Sequence, residues 1–172
     1  GQPDEAVSAY EKAAQSMPQS ATPQLRIAML HHRLGQESKA LPAYRRVLDL
    51  EPKNALAMNN IADLYSRRKD GLNEAEQWAT KAVAAAPKAA DAHDTLGWIQ
   101  RAKGNLPAAR ASLEKAAQLD PASGETLYRL AQVRAELGDR AKARQALQAA
   151  MKARTPVVSA EAARKLLSEL GG

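Results

Sequence analysis

Three histidines, His31, His32 and His93, are the side chains best suited to hold a metal or relay a proton. Their spacing argues against both tasks. Neighbours on a helix project about 100° apart, so His31 and His32 do not converge on one ion. No His-Glu-x-x-His run, cysteine or well-spaced carboxylate completes a ligand set. These histidines are expected to be structural, with no metal bound. A serine nucleophile would need a Gly-x-Ser-x-Gly turn, which is missing, and the glycines occur singly, so no loop cradles a phosphate. No catalytic residue and no cofactor is therefore expected. The basic clusters Arg67-Arg68-Lys69 and Arg140, Lys142, Arg144 lack the interleaved aromatics that stack on single-stranded bases, which argues against nucleic acid as a partner.

What remains is a chain built to hold something. Of its 172 residues 45% are hydrophobic, yet only 3% are aromatic and none is Phe, so its core must consist of thin helices packed closely. Charged residues make up 26%, and no apolar run approaches the ~20 residues that cross a bilayer. The net charge of +6 is spread along the sequence among Glu, Asp and Gln, as on a solvated helix surface. Without cysteines there is no disulfide framework, and the redox compartment stays open.

The elements that would position a binding surface are marked by proline. Pro18, Pro52, Pro87 and Pro121 are separated by 34, 35 and 34 residues, each closing an amphipathic stretch (QSMP, DLEP, AAAP, QLDP). Proline cannot continue a helix and pushes its predecessor out of the helical region. With each such proline as position 32 of a 34-residue unit, small residues align where two helices must touch. Position 8 holds Ala28, Ala62, Gly97 and Ala131; position 20 holds Ala6, Ala40, Ala109 and Ala143, with Ala75 shifted by one. Position 24 is larger (Tyr10, Tyr44, Leu113, Leu147), and position 27 is small again (Ala13, Val47, Ala82, Ala116, Ala150). Gly1, Gly35, Gly104 and Gly138 fall between paired helices, where a left-handed turn favours glycine.

These columns resemble the tetratricopeptide repeat family, whose pattern runs W-x2-L-G-x2-Y, A-x3-F, A and P. The stretch AHDTLGWIQRAKGNLPAARASLEKAAQLDP matches at Leu96-Gly97, Gly104, Ala109, Ala116 and Pro121. The family's Trp at position 4 is replaced throughout, by Gln24, Met58, His93 and Leu127. The resemblance implies an all-α, right-handed superhelical solenoid of antiparallel helix pairs. A half repeat over 1–20 precedes repeats at 21–54, 55–89, 90–123 and 124–156, and a capping helix covers 157–172 with Ser159 as its N-cap. Helix pairs are expected in 21–51, 55–86, 89–120 and 123–154. RRKDGLNEAE carries one extra residue, which predicts a longer turn, and Pro42 predicts that its helix starts late or bends. Pro107 sits near a first helical position and is harmless. Because Gly1 falls mid-repeat, the sequence is expected to be a fragment whose targeting signal lies elsewhere, with the cap closing the C-terminal end of the parent.

In this family positions 2, 5, 9, 12 and 13 of each first helix face a concave groove, and position 6 can reach it. Carried over by the resemblance, the partner-binding groove comprises Leu25 and Met29, then Asn59, Asn60, Asp63 and Arg67, then Asp91, Asp94, Trp98 and Arg101, and finally Tyr128, Arg129 and Gln132. Thr22, His32, Arg33, Glu125 and Glu136 occupy the same set of positions. Asn60 can donate and accept, which suits an extended backbone, and Trp98 and Tyr128 offer flat apolar faces of the kind that anchor interfaces. Asp63, Asp91, Asp94 and Glu125 make the middle of this groove acidic, which opposes capture of a C-terminal carboxylate. The same acids could instead pair with Arg67, Arg101 and Arg129.

The expected function is a non-catalytic protein-protein interaction scaffold that binds a peptide segment or domain of another protein. The alternative from another class is a glycan-binding module, with Trp98 and Tyr128 stacked on sugar rings and Asp63, Asp94 and Asn60 on hydroxyls; a third reading is a cytosolic regulatory adaptor. The runs MNNIADLY, AVAAAP, DAHDTLGWIQRAKGN, ETLYRLAQVRAELGDRAKARQAL and ARKLLSEL are similar to the C-terminal region of bacterial exopolysaccharide-export tetratricopeptide proteins, including those that accompany PEP-CTERM sorting systems. That likeness implies a periplasmic or outer-membrane-associated scaffold.

Overall fold

The computed structural model describes residues 2–157 and 160–171; Gly1, the expected N-cap Ser159 and the terminal Gly172 lie outside them. Among the described residues the chain is all-α, with ten helices and a single isolated bridge between Ser123 and Thr155. α1 is Gln2–Ser16, the expected lone second helix. The pairs follow in the predicted places: α2 Ala21–Arg33 with α3 Glu37–Leu50, α4 Ala55–Ser66 with α5 Leu72–Ala85, α6 Ala90–Ala102 with α7 Leu106–Leu119, and α8 Gly124–Glu136 with α9 Arg140–Lys152. α10 is Ala160–Glu169, the cap. The helices group into two compact units, Gly1–Ala86 and Pro87–Gly172, divided at one of the in-phase prolines.

In the first unit each helix packs on the next, from α1 through α5. Ala28 and Ala62 are fully buried, as are Ala40, Tyr44 and Val47 of α3 and Ile61 and Leu64 of α4. Burying side chains the size of Ile and Leu stabilises by roughly 1.5–3 kcal/mol each, provided the helices come close enough to exclude water. The small columns allow that approach. In the second unit the demand is sharpest at Gly97 on α6: a Cβ there would stand 2.7 Å from Leu113 Cγ and 3.1 Å from the Ala109 carbonyl oxygen on α7. Alanine fits the seam elsewhere; here only glycine does.

Polar side chains at several helix starts satisfy the orphan amides. Asn54 accepts from the Ala57 N–H at 2.9 Å, and Asn105, Ser123 and Asp139 accept in the same way from Ala108, Thr126 and Lys142, each at 3.3 Å. Gly35, Gly104 and Gly138 adopt φ of +69°, +79° and +81° between paired helices. The longer 67–71 turn works differently. Gly71 has φ −90°, and a Cβ on it would lie 2.1 Å from the Tyr65 carbonyl oxygen, so close approach demands glycine there.

Of the two effects expected of Pro42, a late start does not occur: α3 starts at Glu37 and runs through Pro42. Pro42 and Ser38, four residues earlier, are both exposed, so water takes the Ser38 carbonyl that loses its helical donor. In α1, Tyr10 is 36% exposed and Ala6 and Ala13 are half-buried.

The cap is held before it begins. The segment after α9 turns back onto the start of α8, where the Gly124 N–H donates to the Thr155 carbonyl at 2.9 Å and the Thr155 N–H to the Ala122 carbonyl at 3.1 Å. Ala163 of α10 and Leu170 just after it then close over Ala143 and Leu147, with Leu166 and Leu167 half-buried beside them. Replacing Gly97 by Val is expected to lower stability by about 1–3 kcal/mol through overpacking against Leu113, measured as a reduced urea midpoint. An unchanged midpoint would mean that the seam is looser than described.

Candidate functional site

In the first unit the predicted positions converge. Met29 and Arg33 of α2, Asn60 and Asp63 of α4 and Arg67 just after it line a cavity of about 320 Å³ together with His32 and Tyr44. Its floor is a relay of polar contacts. His32 Nε2 lies 3.0 Å from Asp63 Oδ2, and because a carboxylate only accepts, this nitrogen carries the proton. His32 Nδ1 lies 3.3 Å from the Tyr44 hydroxyl, within hydrogen-bonding reach. Arg67 clasps the same Asp63 oxygen through Nε at 3.1 Å and Nη2 at 2.8 Å. Burial raises the Tyr44 pKa and the Asp63 charge adds to the effect, so the phenol stays protonated. For Asp63, burial pushes upward, but the hydrogen bond from His32 and the charge and hydrogen bond of Arg67 win and lower its pKa.

Asn60 donates one amide hydrogen to the Leu56 carbonyl of its own helix at 2.9 Å, so less of its hydrogen-bonding capacity is available than the sequence suggested. Leu25 is half-buried and packs on the hydrophobic core. Asn59 does not line the cavity; its Oδ1 is buried and accepts no hydrogen bond among the described residues. The two adjacent histidines point apart as expected, His31 Nδ1 meeting Gln36 Oε1 at 2.7 Å.

In the second unit the predicted groove residues bind one another. Arg129 of α8 pairs with Asp94 of α6 and reaches Glu125 at 3.3 Å. Arg101 of α6 donates through Nε to Glu136 of α8 at 2.8 Å. Both guanidinium groups lie over the Trp98 ring, Arg101 at 4.5 Å and Arg129 at 4.9 Å. Burial dominates at Asp94 and raises its pKa despite the opposing charge of Arg129. Of the two readings of these acids, pairing is the one seen: Asp63, Asp94 and Glu125 are each matched by arginine, while Asp91 is exposed. The sugar-stacking role of Trp98 loses support, because the guanidinium groups already occupy its π surface. Tyr128 and Gln132 lie elsewhere, in a cavity of about 280 Å³ shared with Lys165 and Leu166 of α10.

Sequence reasoning missed Tyr44 as a cavity residue, since position 24 is a core column; a tyrosine hydroxyl where Leu113 and Leu147 carry none was the available signal. Among the described residues no group of three or more His, Cys, Asp or Glu is placed to hold a metal ion, and no helix is long and apolar enough to cross a membrane.

The architecture has relatives. One tetratricopeptide repeat family model matches residues 1–49, 25–90 and 74–124, and another matches 100–170. The photosystem I assembly protein Ycf3 of Cyanophora paradoxa is 45% identical over 51 residues, which span 30% of this chain and only 28% of that protein. A thermophilic TPR protein of Thermus thermophilus superimposes with a TM-score of 0.77 at 20% identity, over 99% of this chain and 91% of that one. YrrB, a TPR protein with an unusual peptide-binding site, gives 0.77 at 21% identity over 95% and 82%. At these identities the structural likeness concerns the fold.

Because the folded-state pKa of Asp63 is lowered, its contacts stabilise above the ordinary carboxylate pKa of 3.8 and are lost as pH falls through the folded value. Wild-type Tm is expected to fall between about pH 5 and pH 3, and Asp63→Asn to flatten part of that decline. Parallel melting curves for the two proteins across this range would contradict the relay.

Proposed function

This chain belongs to the tetratricopeptide repeat family, and we propose that it is a non-catalytic scaffold that receives an extended segment of another protein. The observation that carries this reading is the first-unit cavity, where Met29, Asn60 and Arg67 from two successive first helices meet around the His32–Asp63 pair. The cavity combines an apolar thioether, an amide and a guanidinium within one peptide-sized recess. Met29 adapts its shape to apolar side chains. Asn60 and Arg67 supply donors to backbone carbonyls or side-chain oxygens. The relay beneath keeps Asp63 from presenting a bare charge to the visitor.

The setting belongs to the same proposal. The wording of the last repeats supports an exopolysaccharide-export or secretion assembly of a bacterial envelope, with the scaffold periplasmic or outer-membrane-associated. Protein is favoured over polysaccharide as the partner, since the stacking platform that a sugar needs at Trp98 is already covered by arginine.

Selection of peptides against the fragment, followed by titration calorimetry, tests the reading. Asn60→Ala and Met29→Ala are expected to weaken the selected peptide about tenfold each with the fold intact. Affinity unaffected by both substitutions would overturn the cavity as the binding site.

A further inference from the structure

Two equivalent places in the array are filled with side chains of very different size. In the first unit, where α4 packs on α3 and α5, position 11 holds Tyr65, position 28 of the repeat before it holds Leu48, and position 23, with the one-residue shift, holds Trp78. All three are half-buried and pack against the hydrophobic core. In the second unit, where α8 packs on α7 and α9, the same positions hold Arg134, Ala117 and Ala146. The match is geometric as well as numerical, because positions 25 and 11 touch in both units. Arg45 Nη2 donates to the Tyr65 hydroxyl at 3.1 Å, and Arg134 Nη2 to Glu114 at 3.0 Å.

Alanine in place of Trp and Leu leaves a notch. It is a cavity of about 400 Å³, floored by Leu127 and Leu130 of α8 and flanked by Ala117 of α7 and Ala146 and Ala149 of α9. Its walls are three consecutive helices, each packed on the next, so residue size and not a missing helix opens it. Pockets near the bottom of the ~300–1,000 Å³ range suit one large side chain or a small molecule.

The rim selects among such guests. The Arg134 guanidinium is held by Glu114 and by the Lys142 carbonyl, which its Nη1 reaches at 3.4 Å, while its Nε is buried with no acceptor among the described residues. A pinned guanidinium beside an apolar floor favours a ring, which uses both, over an aliphatic chain, which uses only the floor. Both tryptophans of this chain already lie under cations, Trp78 under Lys81 at 4.4 Å and Trp98 under Arg101 at 4.5 Å. Glu114 opposes an acidic guest. Gln118 of α7 and Gln145 of α9, exposed on either side, offer amides to a flanking peptide backbone that a free aromatic molecule would leave unused.

We propose that this notch takes an aromatic side chain, best a tryptophan, from a protein segment lying across α7 and α9, in the place that Trp78 fills from within the chain in the first unit. The surface is separate from the α2–α4 cavity and does not depend on it.

5-Fluoroindole, a free mimic of the ring, tests the seat when titrated into the chain and followed by fluorine NMR. Saturable binding is expected with a Kd on the order of 1 mM. It should be lost in Ala146→Trp, which supplies the ring internally, and weakened about threefold in Arg134→Met. Asn60→Ala should leave it unchanged, which separates the notch from the first-unit cavity. If Ala146→Trp fails to fold by circular dichroism, Ala117→Leu, the first unit's own residue at that position, takes its place. Peptides selected on the native chain and counter-selected against the filled variant are expected to share an aromatic residue whose replacement by alanine weakens binding about tenfold. No saturation up to about 10 mM fluoroindole, or equal binding to the native and filled chains, would overturn the seat. Survivors without a shared aromatic residue, or no survivors at all, would overturn a protein segment as its occupant.

Discussion

Helices joined by short turns are useful only if they can approach until their side chains interlock, and residues with almost no side chain set that distance. Ala28, Ala62 and Ala131 allow it with a methyl group, and Gly97 with none, its space already claimed by Leu113. Close approach lets Tyr44, Leu113 and Leu147 bury fully in a chain that has no phenylalanine. It also fixes which surface of each first helix is left outside the seam.

On that surface, charge is arranged between successive first helices. The His32–Asp63 contact ties α2 to α4, and the Asp94–Arg129 and Arg101–Glu136 pairs tie α6 to α8. Asp94 and His32 are the most buried members of these pairs, and there the charge taken from water must be matched by its partner. The pairs also consume charge: what faces a visitor in the second unit is largely self-satisfied, whereas the first unit keeps Arg33 and Met29 uncommitted beside its relay. The two halves of one repeat array thus present different chemistry through the same backbone.

The sequence made the helices legible because proline, glycine and small-residue columns report backbone geometry directly. Every pair lies where the 34-residue phase put it, and a final helix follows within the span expected for the cap. Pro42 does not delay its helix because a proline is costly mainly where its lost hydrogen bond is hidden from water, and exposure is not written in spacing. The candidate site was legible as a set of positions but not as a set of pairings. Asp94 and Trp98 read as available to a ligand, yet Arg129, one repeat later in the chain, neutralises the first and covers the second. Such contacts depend on rotamers between helices. The role of Tyr44 was hidden for the same reason, since a column that reads as core can still deliver a hydroxyl to a cavity wall.

The most direct measurement of the central claim places a photo-crosslinking amino acid at Arg67, on the rim of the first-unit cavity, or at Gln77, exposed on the second helix of the same pair, and irradiates each with a peptide selected on the native chain. The account predicts adducts from Arg67 and none from Gln77. Adducts from Gln77 alone would show that the partner binds the outer helices, contradicting the inward faces as the site of recognition.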